Sequence, residues 1–344
     1  MRYHLSCETC HTVIPELNAF GTSFRRHGYR LPLPVHGTTG IAIRYQLEWE
    51  KDPPAGTNRF TQGGVLLASP FIGAVTAFLH YNLGSGGGPS ALYLGYLAAY
   101  NAHTSALYRI GLFELPLAQS PGQRLDDLQG YGYYGTRVGL NGLTLSQPRW
   151  GGQYERTFGS TTADFTIAFG AYNGSAYGGK PLNTGDTAWA NAPELGFWAR
   201  TAVAPNVEIG AQYLTGVQHI TLTGKPGFDD SYHREGLLAR ATYKKLDFQG
   251  EQWWGNDLNS DGFGSQTGSS GGYARLKYYV TPHSYLGVRY DASANPFLAR
   301  DMTYYFAFMV TPHVRLVVQQ VQLIPGQGHL GAAITVGAPW PAKL

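Results

Sequence analysis

The sequence predicts an all-β protein: a transmembrane antiparallel β-barrel of about sixteen strands over residues 41–344, preceded by a short N-terminal helical cap and linker over residues 1–40. Only 14% of the residues are charged, well below the roughly 25% of ordinary soluble domains. Segments of alternating apolar and polar residues recur, and no apolar run is long enough to be a membrane helix. These features favour membrane crossing by strands, and a secreted soluble β-protein is the alternative.

Both cysteines of the chain lie in one short motif, Cys7-Glu8-Thr9-Cys10-His11. Two thiols separated by two residues on one helical turn can form thioethers to one porphyrin, and the histidine that follows can bind the iron. The motif therefore predicts one haem c, with Cys7 and Cys10 as covalent positions and His11 as the proximal ligand. A redox pair and half of a zinc site are the alternatives, but a zinc site would lack its second cysteine pair. No signal peptide precedes the motif, so we expect the numbering to begin at the mature chain.

The cap that follows is predicted to contain one short helix. Asn18 can cap a helix that runs to about His27, with Gly28 at its C-terminal end. Phe20, Phe24 and His27 then lie on one face, because they are spaced four and three residues apart. We expect Phe20 and Phe24 to pack against the haem.

The sixth ligand of the haem iron stays open at this point. His27 shares the apolar face of its helix, His36 follows the proline-rich arm Leu31-Pro32-Leu33-Pro34, and His4 is close in sequence to the haem motif. Because proline excludes helix, the arm is predicted to be extended and to connect the cap to the first strand.

The barrel strands are predicted from alternation with a period of two. In 41–50, Ile43, Tyr45 and Leu47 would face lipid, while the polar residues between them, such as Arg44, would face the lumen. Further strands are predicted at 91–100, 104–115, 130–141, 162–172, 197–203, 207–215, 236–244, 273–280, 285–291, 302–310 and 314–323.

The connections are predicted to alternate between short and long. The repeated turns at 280–283 and 310–313 share the sequence Val-Thr-Pro-His, and a third short turn lies at 204–206. Such turns are typical of the periplasmic end of a barrel, whereas the Gly/Ser/Asn-rich stretches near 83–90, 174–195, 218–232 and 255–272 are predicted to be outer loops.

The inward face is predicted to carry many charged residues. Its predicted cations are Arg44, Arg109, Arg137, Arg200, Arg240, Arg275, Lys277, Arg289 and Arg315. Its predicted acids are Glu48, Glu50, Glu208 and Glu251. Ion pairs that order a wet lumen are one interpretation, and pairing of some arginines with haem propionates is the other.

One outer loop contains a weaker metal-site pattern. Asp257, Asn259 and Asp261 have the spacing that opens a calcium-binding loop, but the closing acid is replaced by Gly268. A Ca²⁺ site and an ordinary Asx-rich turn are the two alternatives.

The N-terminal residues carry a family resemblance. The residues that carry it are Cys7, Cys10, His11, Pro15, Leu17, Asn18, Phe20, Gly21, Phe24, Gly28 and Tyr29. This pattern, over residues 7–30, resembles the N-terminal signature of the fused monohaem cytochrome-porins of iron-oxidising bacteria. The chain departs from the family at His27, where Asn is usual, and at its C-terminus, which lacks a final aromatic residue.

The resemblance implies a c-type cytochrome joined to a porin-like barrel in the bacterial outer membrane. Such a protein would act as an Fe(II) oxidase, taking electrons from extracellular Fe(II) and passing them to a periplasmic cytochrome c. An outward electron conduit to an extracellular acceptor and a passive porin with a haem-bearing plug are the alternatives. The expected surroundings are outer-membrane lipid, and a net charge of +3 gives no reason to expect a nucleic-acid partner.

Overall fold

The computed structural model describes residues 11–13, 16–17, 40–51, 57–72, 75–83, 91–119, 128, 130–160, 163–175, 187–190, 192–204, 206–294, 299–311, 313–326 and 328–340. Two short strands come first, β1 (His11–Val13) and β2 (Glu16–Leu17). The strands of the main sheet are β3 (Gly40–Lys51), β4 (Thr57–Ile72), β5 (Val75–Asn82), β6 (Ala91–Asn101), β7 (Ala106–Phe113), β8 (Arg149–Ser160), β9 (Ala163–Ser175), β10 (Thr187–Ala190), β11 (Glu194–Ala204), β12 (Val207–Thr221), β13 (Phe228–Tyr243), β14 (Leu246–Asp257), β15 (Thr267–Thr281), β16 (Ser284–Ala294), β17 (Ala299–Thr311), β18 (Val314–Leu323) and β19 (His329–Trp340).

The main sheet closes into an antiparallel barrel. The sheet has 17 strands. Both β10 and β11 pair with β12, and β10 does so just beyond the part of β12 that pairs with β11. β10 and β11 therefore share one position, and sixteen positions close the ring. The ring is completed by pairing of β19 with β3 and of β9 with β11. The predicted strand number is therefore confirmed. Closure leaves the ring without an open edge, which a sheet in lipid requires.

The two faces of the barrel differ as the alternation predicts. On β3, Tyr45 and Leu47 are 41% and 57% exposed on the outer wall, whereas Arg44 and Glu48 are buried on the lumen side. The same register continues around the ring and gives an outer belt of Leu, Ile, Val, Phe, Tyr and Trp. The chain is thus a transmembrane β-barrel, the kind of protein found in bacterial outer membranes, and the predicted location is confirmed.

Short turns gather at the end of the barrel where β3 begins and β19 ends. The two Val-Thr-Pro-His turns have the same hydrogen bond, from His283 N to Thr281 Oγ1 (3.1 Å) and from His313 N to Thr311 Oγ1 (3.2 Å). The long connections lie at the opposite end, which we assign to the cell exterior. β12 and β13, at 15 and 16 residues, exceed the roughly ten residues that cross a bilayer and therefore extend outward beyond it.

Two predictions are corrected by the structure. The predicted strand at 130–141 is wrong: this segment contains only a 3₁₀ turn, Tyr133–Gly135, and belongs to a long connection between β7 and β8. The described part of the predicted helical cap is extended, because β1 and β2 pair as an antiparallel hairpin next to β17. The helix predicted from Asn18 to His27 lies outside the described residues. No described helix is long and apolar enough to cross a bilayer.

Candidate functional site

The lumen contains a long inward connection, residues 114–148, which we call the inner loop. It leaves β7 at the outer end of the barrel and returns to β8, and most of its described side chains are buried within the barrel. The loop reaches the opposite wall at three strands. Gln119 Nε2 donates to Gln249 Oε1 on β14 (2.9 Å), and Leu128 N donates to Gln319 Oε1 on β18 (2.7 Å). The Gly130 carbonyl accepts a hydrogen bond from Arg289 Nη2 on β16 (3.2 Å). The loop therefore crosses the bore.

Asn141 forms the most connected attachment of the inner loop, which we call the latch. Its Nδ2 donates to Asp230 Oδ2 (2.7 Å) and to Asp257 Oδ1 (3.1 Å), and its Oδ1 accepts from Leu143 N (2.9 Å). Arg234 pairs with Asp257 at 2.8 Å. All these polar groups are buried, where loss of a hydrogen-bond partner is costly, so the latch fixes the loop to β13 and β14.

Tyr134 makes a second polar attachment. Its hydroxyl donates to Glu251 on β14, and Gln212 Nε2 donates to the other carboxylate oxygen (2.5 Å). Burial and the Glu251 charge raise the pKa of the Tyr134 phenol well above its usual range. The phenol therefore remains a hydrogen-bond donor at any physiological pH.

Aromatic packing fills the space between the loop and the wall. Tyr131 lies against Tyr273 with ring centroids 4.5 Å apart, and Tyr133 stacks on Trp253 at 6.5 Å. The Arg289 guanidinium lies 4.3 Å from the centre of the Tyr131 ring. The buried cluster also includes Phe113, Leu115, Leu117, Tyr134, Leu145, Ala168, Tyr172, Trp198 and Leu214. This packing holds the described part of the inner loop against the wall and occupies part of the lumen.

Most of the predicted inward cations lie on the lumen wall. Arg275 and Lys277 both lie within 4 Å of Asp247, at 3.9 and 3.7 Å, and Arg240 pairs with the same carboxylate at 2.9 Å. Arg109 pairs with Glu155 at 2.9 Å. Arg137 is the exception, because it lies in the inner loop rather than on a strand. These contacts agree with the interpretation that ion pairs order the lumen.

Several lumen residues were missed by the sequence reasoning. Arg149 at the start of β8 is fully buried, pairs with Glu194, and donates to the carbonyls of Gln147 (2.7 Å) and Thr144 (3.0 Å) at the end of the inner loop. Arg234 was missed because the predicted strand began at 236. It lies an even number of residues from Arg240 and therefore on the same face of β13. Arg234 lies in the outer half of β13, where the sequence has no apolar alternation, so the pattern gave no signal for it.

The structure brings together few of the predicted metal-site residues. Asp257 is engaged in the latch, while Asn259 Oδ1 accepts from Gly264 N (2.6 Å) and Asp261 Oδ1 accepts from Phe263 N (2.8 Å). These hydrogen bonds are typical of an Asx-rich turn, and those to Asp261 lower the pKa of its carboxyl. The described residues contain no group of three or more His, Cys, Asp and Glu side chains placed to hold a metal ion.

The predicted haem site lies almost entirely outside the described residues. Of its thioether and proximal positions, only the backbone of His11 is described, as the first residue of β1, where it pairs with Leu17. The other predicted residues outside the described part are Cys7, Cys10, His4, His27, His36, Phe20 and Phe24.

The barrel has the fold of outer-membrane porins. The anion-selective porin from Comamonas acidovorans superimposes with a TM-score of 0.61 at 11% identity, over 88% of this chain and 99% of that one. The outer-membrane channel DcaP of Acinetobacter baumannii gives 0.59 at 12% identity, over 88% and 96%. OmpF of Salmonella typhi, in a complex with daunomycin, gives 0.59 at 9% identity, over 88% and 97%. At sequence identities of 9–12%, these similarities show a shared fold and nothing more. No protein-family model and no curated protein matches the sequence.

Proposed function

We propose that this chain forms a narrow outer-membrane channel whose bore is restricted by the inner loop. The observation that carries the proposal is the latch, in which Asn141 bridges Asp230 on β13 and Asp257 on β14. A loop fixed to the wall by buried hydrogen bonds stays inside the lumen, and it leaves space only for small solutes.

The wall of the barrel supports this proposal. A lumen that admits water needs charged and polar side chains held in place, and the pairs Arg109–Glu155 and Arg240–Asp247 provide them. Sixteen strands also enclose a cross-section wide enough for an aqueous channel before the loop reduces it.

Solute uptake into proteoliposomes tests the proposal. Vesicles containing the purified full-length protein should swell in a small solute such as glycerol and swell much more slowly in a disaccharide. Equal rates for both solutes would contradict a restricted bore. If both solutes caused swelling only as fast as in protein-free vesicles, the protein would not be a channel of any width. The second candidate function, described next, would then remain.

Electron transfer is the second candidate, and the motif Cys7-Glu8-Thr9-Cys10-His11 is the observation that favours it. Cys7 and Cys10 would hold one haem c and His11 would bind its iron, and the bound haem would supply one-electron chemistry. The buried apolar cluster between the inner loop and the wall suits this role, since apolar packing excludes water and helps to set the redox potential. Buried Arg275 and Lys277 on the wall could then bind the haem propionates.

Reduction by external Fe(II) tests the second candidate. Fe(II) added outside proteoliposomes that contain the holo-protein should reduce the haem, and His11→Ala should suppress the reduction. A haem that stays oxidised under excess Fe(II), yet accepts electrons from an inner cytochrome, would replace the Fe(II) oxidase with the outward conduit.

A further inference from the structure

The lipid-facing wall of the barrel contains a groove on the side formed by β11 to β16. The volume of the groove is about 750 Å³, and its lining is mainly apolar. Ala239, Gly250 and Ala274 form its floor, and they are direct neighbours in register on β13, β14 and β15. Larger outward side chains flank this floor, among them those of Ile209 and Phe248. The groove thus interrupts the belt of large apolar side chains that covers the outer wall.

Two adjacent lysines form the turn below this groove. Lys244 and Lys245 connect β13 to β14 at the short-turn end of the barrel, and both are exposed. The Lys244 ammonium lies 5.2 Å from the centre of the Tyr243 ring, and the Lys245 ammonium lies 6.0 Å from the centre of the Tyr278 ring. Lys245 Nζ also donates to the carbonyl of Val280 (3.3 Å). Because both tyrosines are exposed on the outer wall, the two ammonium groups lie on its lipid side.

The lipid side of this rim is positively charged. The short-turn end of β13 to β16 is formed by residues 241–249 and 274–290, and the only acid in these two segments is Asp247. Asp247 is buried on the lumen side, where Arg240 pairs with it at 2.9 Å. The two lysines therefore present their charge to the lipid headgroups, and adjacent basic residues at this level attract anionic headgroups.

The groove and the lysines differ in height by about the depth of one leaflet. Gly250, on the floor of the groove, is five residues from Lys245 along the chain. With roughly 3.4 Å per residue and a strand tilt of about 40°, the height difference is roughly 13 Å, about half of the apolar band of roughly 25 Å. The groove therefore lies at the depth of the acyl chains of the inner leaflet, and the lysines lie at the level of its headgroups.

We propose that the groove and the Lys244–Lys245 turn together bind one phospholipid of the inner leaflet that has a negatively charged headgroup. Its phosphate lies against the two ammonium groups, and one of its acyl chains lies in the groove. A zwitterionic headgroup carries an ammonium of its own, which the two lysines repel, so an anionic lipid is preferred. The inference concerns the outer wall and does not depend on what crosses the bore.

Native mass spectrometry of the purified full-length protein in detergent tests the site, with phosphatidylglycerol and phosphatidylcholine as probes. Wild type should retain phosphatidylglycerol more strongly than phosphatidylcholine. Lys244→Gln combined with Lys245→Gln should weaken the retention of phosphatidylglycerol by about fivefold for each lysine removed. Lys225→Gln, in an exposed outer turn, removes the same kind of charge and should change nothing.

A second variant tests the groove with both lysines in place. Ala239→Trp fills the floor of the groove and should lower the retention of phosphatidylglycerol severalfold. Ala332→Trp makes the same change on the outward face of β19, outside the groove, and should have no effect. Heat-modifiable migration on gels verifies that each barrel is folded.

Three results would overturn the proposal. Equal retention of phosphatidylglycerol by wild type and the double lysine variant would show that the turn does not bind the headgroup. Unchanged retention in Ala239→Trp would show that the groove holds no acyl chain. Equal retention of the two lipids by wild type would contradict the preference for an anionic headgroup.

Discussion

The side-chain amide of Asn141 donates a 2.7 Å hydrogen bond to the Asp230 carboxylate across 89 residues of sequence, and it thereby joins the inner loop to β13. The same amide reaches Asp257 at 3.1 Å. One neutral donor thus lies between two buried carboxylates, and this arrangement makes the position sensitive to charge.

Replacing Asn141 with Asp should release the inner loop. A third carboxylate would lose both donated hydrogen bonds and repel Asp230 and Asp257, at a cost of roughly 1–3 kcal/mol or more. We expect faster proteolysis of the loop in the folded barrel, measured by mass spectrometry of the fragments. Asn206→Asp, in an exposed turn, adds the same charge and should leave the cleavage rate unchanged. Equal protection in both variants would count against the latch.

Gly139→Ala should loosen the same part of the loop through the backbone. Gly139 has φ +56°, and a Cβ atom there would lie 2.6 Å from the Ser260 carbonyl oxygen. The left-handed conformation alone costs a non-glycine residue about 1–2 kcal/mol. Gly132→Ala is the control, because Gly132 has φ −54° and nothing lies within 4 Å of its added Cβ. Hydrogen exchange of the loop should rise only in the Gly139 variant.

Leu47→Arg should destabilise the inserted barrel. Leu47 faces lipid on β3, and an arginine near the bilayer midplane of such a barrel costs about 2–4 kcal/mol. Reversible urea unfolding in lipid vesicles measures the change. Phe263→Arg, on an outer-loop side chain that is 85% exposed, should cost almost nothing. If the two variants were equally stable, residue 47 would not face hydrocarbon.

Cys7→Ala combined with Cys10→Ala should remove covalent haem and leave an inserted barrel. The barrel closes its own hydrogen bonds from Gly40 to Trp340 and does not need the N-terminal segment for them. Haem staining after denaturing electrophoresis, together with heat-modifiable migration, reports both properties. Covalent haem that persisted in the double variant would disprove the role of the motif.

The sequence was most informative where one face of a strand meets lipid. β18 has the same limits as its predicted strand at 314–323. In its first half the outward residues Val314, Leu316 and Val318 are apolar, while Arg315 is buried on the lumen side. β13 extends beyond its prediction at 236–244, because its outer half includes His233, Arg234 and Glu235 and shows no apolar alternation above the membrane.

The inner loop was mistaken for a strand because its tyrosines and glycines imitate a period of two. Inside the lumen, both sides of this segment are covered, so periodicity no longer reports which side faces lipid. The contacts that hold the loop, such as Asn141 with Asp230 and Leu128 with Gln319, join residues far apart in sequence. Local pattern contains no information about such pairs.

Single-channel conductance in planar bilayers tests the restricted bore most directly. The full-length wild-type protein should give small unitary steps, and Asn141→Asp should give clearly larger ones while Asn206→Asp matches the wild type. Large wild-type steps, of the size expected for an unobstructed barrel of sixteen strands and equal in all three proteins, would contradict a bore that the latched inner loop restricts.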